Sequence, residues 1–279
     1  MSPTWESGTP PYLRRIGPLG WCIVALRVTG LLVVLVPGVL MTLLLRLIEG
    51  PLMGAHRPLT ARIQKHAIWA GLRVIGLRYR TEGTPLRQHG AVVANHASWM
   101  DIFALGAGQR IVFVSKAEVQ SWPGIGFLAR LVGTVFITRN PREAADQQAQ
   151  LERELTAGRK LLFFPEGTST DGMRVLPFKS TLFAAFMNME TKAELAIQPV
   201  TVVYTAPLGL PEARFYGWWG DMDLEPHMAQ VLAQVPQGDV KVIYHEPVQV
   251  AEFADRKALA TELEARVRAG MPEDRRIAN

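Results

Sequence analysis

His96 and Asp101 stand five positions apart in VVANHASWMDIF, residues 92–103. An imidazole that donates from one ring nitrogen to a carboxylate keeps its other nitrogen free to take a proton. The pair therefore has the composition of a general base with its orienting group, and the proton would come from a hydroxyl or a water. The spacing does not put both side chains on one face of a continuous helix. It works if His96 sits in a loop and Asp101 in the first turn of the helix that follows. A structural alternative uses the same residues: Ser98 as the helix N-cap, with Asp101 as its third-position partner. The two readings are compatible, and the motif alone does not choose between them.

Three other stretches invite the same question. Arg139 follows an apolar run in GTVFITRN. An arginine there can hold phosphate or carboxylate bidentately, or can be an ordinary solvated charge at a strand end. In LLFFPEGTSTDGMRVLPFKS, residues 161–180, an apolar strand breaks at Pro165 and is followed by Glu166, Gly167, Thr168 and Ser169. Gly167 lets backbone N–H groups approach an oxyanion and Thr168 adds a hydroxyl; a plain turn between strand and helix is the alternative. Neither the Gly-Lys-Ser/Thr of a P-loop nor the G-x-S-x-G of a nucleophile elbow occurs there. The fourth stretch is Gln198-Pro199. With a His–Asp pair and no evident serine or cysteine nucleophile, the chemistry points to general-base catalysis on an already activated partner.

These residues must be positioned by the elements around them. Short β-branched or aromatic runs recur at residues 90–95, 110–116, 133–139, 159–167, 195–204 and 240–250. Helical patterns lie between or after them: residues 141–158, with Pro141 at a first helical position and Gly158 at the C-terminal cap, and residues 254–270. Alternating strands and helices predict an α/β fold with a mixed sheet flanked by helices. In such sheets, ligands sit where strands end and loops begin, which is where all four stretches are expected.

The front of the chain is different. Residues 28–45, VTGLLVVLVPGVLMTLLL, carry no charge and lie between Arg27 and Arg46. As a helix they reach roughly 27 Å, near the thickness of a bilayer's hydrocarbon core. Pro37-Gly38 sits mid-run, so either a kinked spanning helix or two short helices turning back within one leaflet fits. A cleaved signal peptide fits poorly, because the run is too long and no small-residue cleavage site follows. The expected organisation is a membrane anchor over residues 1–55 and a catalytic domain over 56–279. Arg46, Arg57, Arg62, Lys65 and Arg73 follow the run, which favours a cytoplasmic catalytic domain at the inner membrane.

The 279 residues carry a net charge of +5 and 48% hydrophobic residues, with a pI near 9.6. That basicity suits an anionic membrane surface or acidic small molecules, and no Lys/Arg block or RNA-binding aromatic motif argues for nucleic acid. The single cysteine, Cys22, excludes an intrachain disulfide and a cysteine-based metal site.

Taken in order, the four stretches resemble the lysophospholipid acyltransferase family, typified by 1-acylglycerol-3-phosphate acyltransferase. Asn95, His96 and Asp101 match its Asn-His-four residues-Asp motif. Phe136, Ile137 and Arg139 match Phe-Ile-x-Arg, Phe164 to Thr168 match Phe-Pro-Glu-Gly-Thr, and Ile197, Pro199 and Val200 match the last motif. The resemblance covers roughly residues 60–250. It implies a glycerolipid acyltransferase-like fold and transfer of a fatty acyl group from acyl-CoA or acyl carrier protein to the free hydroxyl of a lyso-lipid. No cofactor beyond that co-substrate and no metal is implied. His96 would deprotonate the hydroxyl with Asp101 orienting it, while Asn95, Arg139 and the Glu166-Gly167-Thr168 loop would serve substrate binding. The chain departs from the family at Ser169, where arginine is usual; either Arg174 or Lys179 compensates, or the acceptor is not a simple phosphomonoester. 1-Acyl-sn-glycerol-3-phosphate, giving phosphatidic acid, is the first expected acceptor. A lyso-ornithine lipid is the alternative, because residues 166–180 together with YGWWGDMDLEPH (216–227) look similar to bacterial lyso-ornithine lipid acyltransferases. Two rival classes are a hydrolase using the same pair on water and a non-catalytic membrane-associated binding protein.

Overall fold

The computed structural model describes residues 5–8, 13–53, 57–88, 90–122, 124–138, 141–210 and 213–276. In chain order its elements are α1 (Pro18–Met53), α2 (Pro58–Ile75), β1 (Arg78–Glu82), β2 (Gly90–Ala94), α3 (Asp101–Gly108), β3 (Val112–Lys116), α4 (Ile125–Val132), β4 (Val135–Ile137), α5 (Ala144–Thr156), β5 (Leu161–Phe163), α6 (Ala184–Met187), β6 (Ala196–Thr205), α7 (Leu224–Ala233), β7 (Asp239–Tyr244), β8 (Val248–Gln249) and α8 (Arg256–Ala269). The strands form one sheet in the order β1-β7-β6-β2-β5-β3-β4, with β8 added beside β6. Strands β6, β2, β5, β3 and β4 run parallel, whereas β7 pairs antiparallel to β6. The expected mixed α/β sheet is therefore what the chain forms.

Helices cover both faces, so the central strands are apolar on both sides. Strand β2 shows the alternation. Ala91 and Val93 join a core with Leu151, Leu155, Leu259 and Leu263 on one face. Val92 and Ala94 join Leu72, Ile75, Leu105 and Val231 on the other. Helix α8 is started by Asp255, whose side chain accepts from the N–H groups of Lys257 and Ala258, and it packs Leu259, Leu263 and Val267 on one buried stripe. Pro141 begins a short 3-10 turn rather than α5, which starts at Ala144. Gly158 adopts φ +75° just past the end of α5, the left-handed conformation expected of its cap position.

The apolar front end is one helix. α1 runs unbroken through Pro37 for 36 residues, roughly 54 Å, so Pro37-Gly38 does not turn the chain back. Leu26, Leu32, Val33, Val36, Leu40 and Leu44 are exposed along it. Both ends of its uncharged stretch are fastened to the globular part. Arg27 donates to the carbonyls of Leu232 and Gln234 at the end of α7, at 2.8 and 2.7 Å. Arg46 donates to the carbonyl of Leu131 at the end of α4. Each guanidinium thus satisfies helix-terminal carbonyls and sits at the negative end of a helix dipole. Glu49 does the reverse for α2: its buried carboxylate accepts from Leu59 N, Thr60 N and Thr60 Oγ1.

Candidate active site

Strand β2 ends at Ala94, and the chain turns at Asn95-His96 into the loop that starts α3. The Asn95 side chain is the hinge pin of that turn. Its amide donates to Val202 O at 2.9 Å and accepts from Val202 N at 2.7 Å, which ties the end of β2 to β6. Both polar atoms are used and the residue is 1% exposed. The expectation that Asn95 contacts substrate is corrected here: its side chain positions His96 instead.

His96 Nδ1 lies 2.7 Å from Asp101 Oδ2. With the carboxylate as acceptor, Nδ1 carries the hydrogen and Nε2 is left basic. The His96 side chain is 21% exposed and that of Asp101 is 0% exposed, so the imidazole is reachable from outside while its partner is sealed. Four donors hold Asp101. Oδ2 also accepts from Ala97 N and Ser98 N, at 2.9 and 3.1 Å, and Oδ1 accepts from the Tyr204 hydroxyl at 2.8 Å. The carboxylate sits in the first turn of α3, where the helix dipole favours a negative charge. The structural reading of Ser98 and Asp101 is half realised. Asp101 reaches back to Ser98 N as a capping partner, but the Ser98 hydroxyl accepts from Met100 N, at 3.3 Å, and α3 begins only at Asp101. The catalytic and capping geometries share one carboxylate.

The imidazole plane is fixed by Phe164, which stacks on it at 4.0 Å with 13° between the rings. Phe164 follows β5, the neighbour of β2 in the sheet, so the FFPEG stretch arrives beside His96 because the two strands are adjacent. Glu166 is 1% exposed. Its Oε1 accepts from His96 N at 2.7 Å and its Oε2 from Leu176 N at 2.8 Å. Burial pushes its carboxyl up to about 8, against the pull of those two N–H donors and with the push of nearby Asp101. Glu166 thus clamps the base's own backbone to the loop beyond, and its expected substrate contact is corrected to that role. The loop closes further where Thr170 N and Oγ1 both donate to His96 O, at 2.9 and 3.2 Å.

Gly167 turns the chain with φ +72°, and a Cβ there would lie 2.6 Å from Lys179 Nζ. The ammonium of Lys179 therefore covers this turn. Thr168 and Ser169 are half-buried beside it. His96, Asp101, Gly167, Thr168, Ser169 and Lys179 are thus gathered around two adjacent strand ends. Arg139 lies outside the described residues. Gln198-Pro199 does not lie in a loop as expected. Both residues are inside β6, where Pro199 pairs with Val93 and the Gln198 amide donates to Thr84 O and His245 O.

Two participants were not read from the sequence. Tyr204 looked like one more apolar residue of a strand, because its partner is 103 positions away. Trp218 donates its backbone N–H to Ala97 O at 2.8 Å and sets its ring edge-on to Trp122, which holds the 214–222 loop against the residue after His96. His227, by contrast, is a satisfied core histidine. It accepts from Trp99 Nε1 at 3.0 Å, and burial lowers it to about 4, so it stays neutral while anchoring the loop between His96 and Asp101 to α7.

Known proteins resemble this chain in sequence and in fold. The family model described as Acyltransferase matches residues 73–203. A lyso-ornithine lipid O-acyltransferase of Rhodobacter capsulatus is 51% identical over 96% of this chain and 97% of its own. A 1-acyl-sn-glycerol-3-phosphate acyltransferase of Neisseria gonorrhoeae is 32% identical over 70% of this chain and 76% of its own. The crystal structure of the 1-acyl-sn-glycerophosphate acyltransferase of Thermotoga maritima shares the fold, with a TM-score of 0.62 at 20% identity over 90% of this chain and 92% of that one. The chain belongs to the acyltransferase family as an acyltransferase of the lysophospholipid type.

Proposed function

We propose that the chain esterifies the free hydroxyl of a lyso-ornithine lipid with a fatty acyl group from acyl-CoA or acyl carrier protein. The observation that carries this choice is the loop after Glu166: position 169 is a serine, and the 51% identical relative that covers 96% of the chain is named for that acceptor. This reverses the order of acceptors expected from sequence alone, with 1-acyl-sn-glycerol-3-phosphate now second.

In this mechanism His96 Nε2 takes the hydroxyl proton as the oxygen attacks the thioester carbonyl. Asp101 stabilises the imidazolium that forms. The tetrahedral intermediate collapses, the carbon–sulfur bond breaks, and the imidazolium returns its proton to the leaving thiolate. No acyl-enzyme is required, because the thioester is already activated.

Membrane association is part of the proposal. A helix whose uncharged stretch is tied to one globular domain at both ends, by Arg27 and by Arg46, lies along that domain rather than crossing to the far side of a bilayer. Its exposed Leu and Val face then enters one leaflet, with the catalytic domain on the cytoplasmic side.

The test supplies labelled acyl thioester with lyso-ornithine lipid, 1-acyl-sn-glycerol-3-phosphate and no acceptor. Diacyl ornithine lipid is the expected main product. Preference for the phosphate acceptor would overturn the head-group assignment. Release of free fatty acid alone would make the chain a hydrolase.

A further inference from the structure

Near the base lies a charge cluster that the transfer chemistry does not use. Asp171 is 2% exposed. It follows Thr170, whose N–H and hydroxyl hold the His96 carbonyl, and precedes Gly172, where a Cβ would meet the Ala97 Cβ at 3.4 Å. Asp171 Oδ1 accepts from Met173 N at 3.1 Å and lies 3.6 Å from Arg174 Nε. The guanidinium of Arg174 lies over the ring of Trp5, 5.1 Å from its centroid. Trp5 comes from the stretch before α1, and its carbonyl approaches Gly220 in the loop that covers Ala97. Arg275 is within electrostatic reach of Asp171 but commits its Nη1 to Tyr204 O at 2.5 Å.

Resting on the acceptor reading above, we propose that Arg174, held between Asp171 and Trp5, binds the carboxylate of the acceptor's amino-acid head group. Stacking on Trp5 orients the guanidinium, the Asp171 carboxylate 3.6 Å from Nε holds it electrostatically, and its two Nη groups are left to grip a planar anion. The Arg174 side chain is 22% exposed, so it is held and still reachable. Buried Asp171 discriminates between anions: it lies 3.6 Å from Arg174, and Arg275 is shared with Asp274. A monoanionic carboxylate adds the least negative charge beside it. A phosphomonoester, close to a dianion at neutral pH, would set a surplus negative charge against Asp171 in a poorly hydrated site. N-acylated ornithine presents one carboxylate, and its ammonium makes the whole head group neutral. The cation missing at Ser169 is thus replaced five positions on by one matched to a different anion. The N-terminal stretch contributes to the site through Trp5.

The test compares lyso-ornithine lipid with its carboxyl methyl ester, in the full-length membrane enzyme and in Arg174→Ala, Arg174→Lys and Trp5→Ala. Esterification removes the charge Arg174 would grip, so wild type is expected to lose roughly 10- to 100-fold in kcat/KM on the ester. Arg174→Ala should treat acid and ester alike within about threefold, and Trp5→Ala should give an intermediate ratio. A structural role for Arg174 would lower both rates and leave the ratio untouched, which overturns the proposal. If Arg174→Ala does not accumulate, the Arg174→Lys ratio decides: a full wild-type ratio there counts against bidentate binding. Wild type that ignores lyso-ornithine lipid but acylates 1-acyl-sn-glycerol-3-phosphate would sink the acceptor reading itself, a result separate from loss of the ratio.

Discussion

Asp101 is the most heavily constrained side chain of the site, and its four donors make separable predictions. Asp101→Asn keeps the shape but reverses a donor, so the amide and the His96 ring can no longer hold Nδ1–H in place. Transfer should fall by about 10³- to 10⁴-fold with the fold intact, and His96→Ala should fall at least as far. Tyr204→Phe removes one hydroxyl from Oδ1 and leaves the other three donors. A loss of about 10-fold in kcat is expected, since one hydrogen bond to a charged group is worth roughly 1.5–3 kcal/mol and the remaining donors share the load. The pH–rate profile of Tyr204→Phe should move as well; an unchanged profile would mean that Tyr204 only fills space. The His–Asp pair and the Glu-Gly-Thr-Ser turn were legible because each is local in sequence. Tyr204, and the inward turn of Asn95 and Glu166, were not, because each depends on partners brought by neighbouring strands.

Glu166 gives a prediction of opposite pH sense from an ordinary paired carboxylate. Its folded value, about 8, lies above its value near 4.5 in the unfolded chain. Between those limits unfolding releases a proton, so its contribution is fully present below about 4.5 and is lost as pH rises towards 8. Thermal stability of wild type should therefore fall across that window relative to Glu166→Gln, which cannot ionise. Parallel curves for the two proteins from pH 5 to 9 would show that Glu166 is already ionised in the folded state.

At the scale of elements, the apolar strands were readable, while the charged edge strand β1 and the helices α2 and α3 were not. β1 reads RYRTE, a charged edge strand exposed for most of its length, which hides it from any search for apolar runs. α3 is short and apolar all round, without the alternation that marks an amphipathic helix. Pro199 was expected where a strand gives way to a loop. β6 accommodates it, and Pro199 O accepts from His245 N at 3.0 Å. α2 has its start supplied from outside, since no side chain of its own caps it and Glu49 of α1 does. Glu49→Ala should therefore destabilise α2 rather than α1, by about 1–2 kcal/mol for a lost cap with a favourable dipole interaction. Thermal unfolding in detergent checks this, together with hydrogen exchange at residues 58–64. Protection unchanged there would mean that α2 does not depend on the carboxylate.

At the scale of the molecule, the apolar front end was legible as a candidate membrane segment, but its path was not. Composition cannot say whether two arginines nineteen positions apart flank a bilayer or grip one domain. The structure places both on helix ends of the same domain, Arg27 at α7 and Arg46 at α4. If α1 lies in one leaflet, the segment before it must stay on the side of His96, which is also where Trp5 meets Arg174. Ser7 is a described position on that segment, and Cys22, the only cysteine of the chain, is exposed on α1. With Cys22→Ser as background, Ser7→Cys and a cysteine at exposed Arg153 on α5 should react with a membrane-impermeant maleimide from the same face of sealed vesicles. Opposite-face labelling would require α1 to cross the bilayer. The Arg27 and Arg46 contacts could then not both exist in the membrane, and the route by which Trp5 reaches the acceptor loop would be closed.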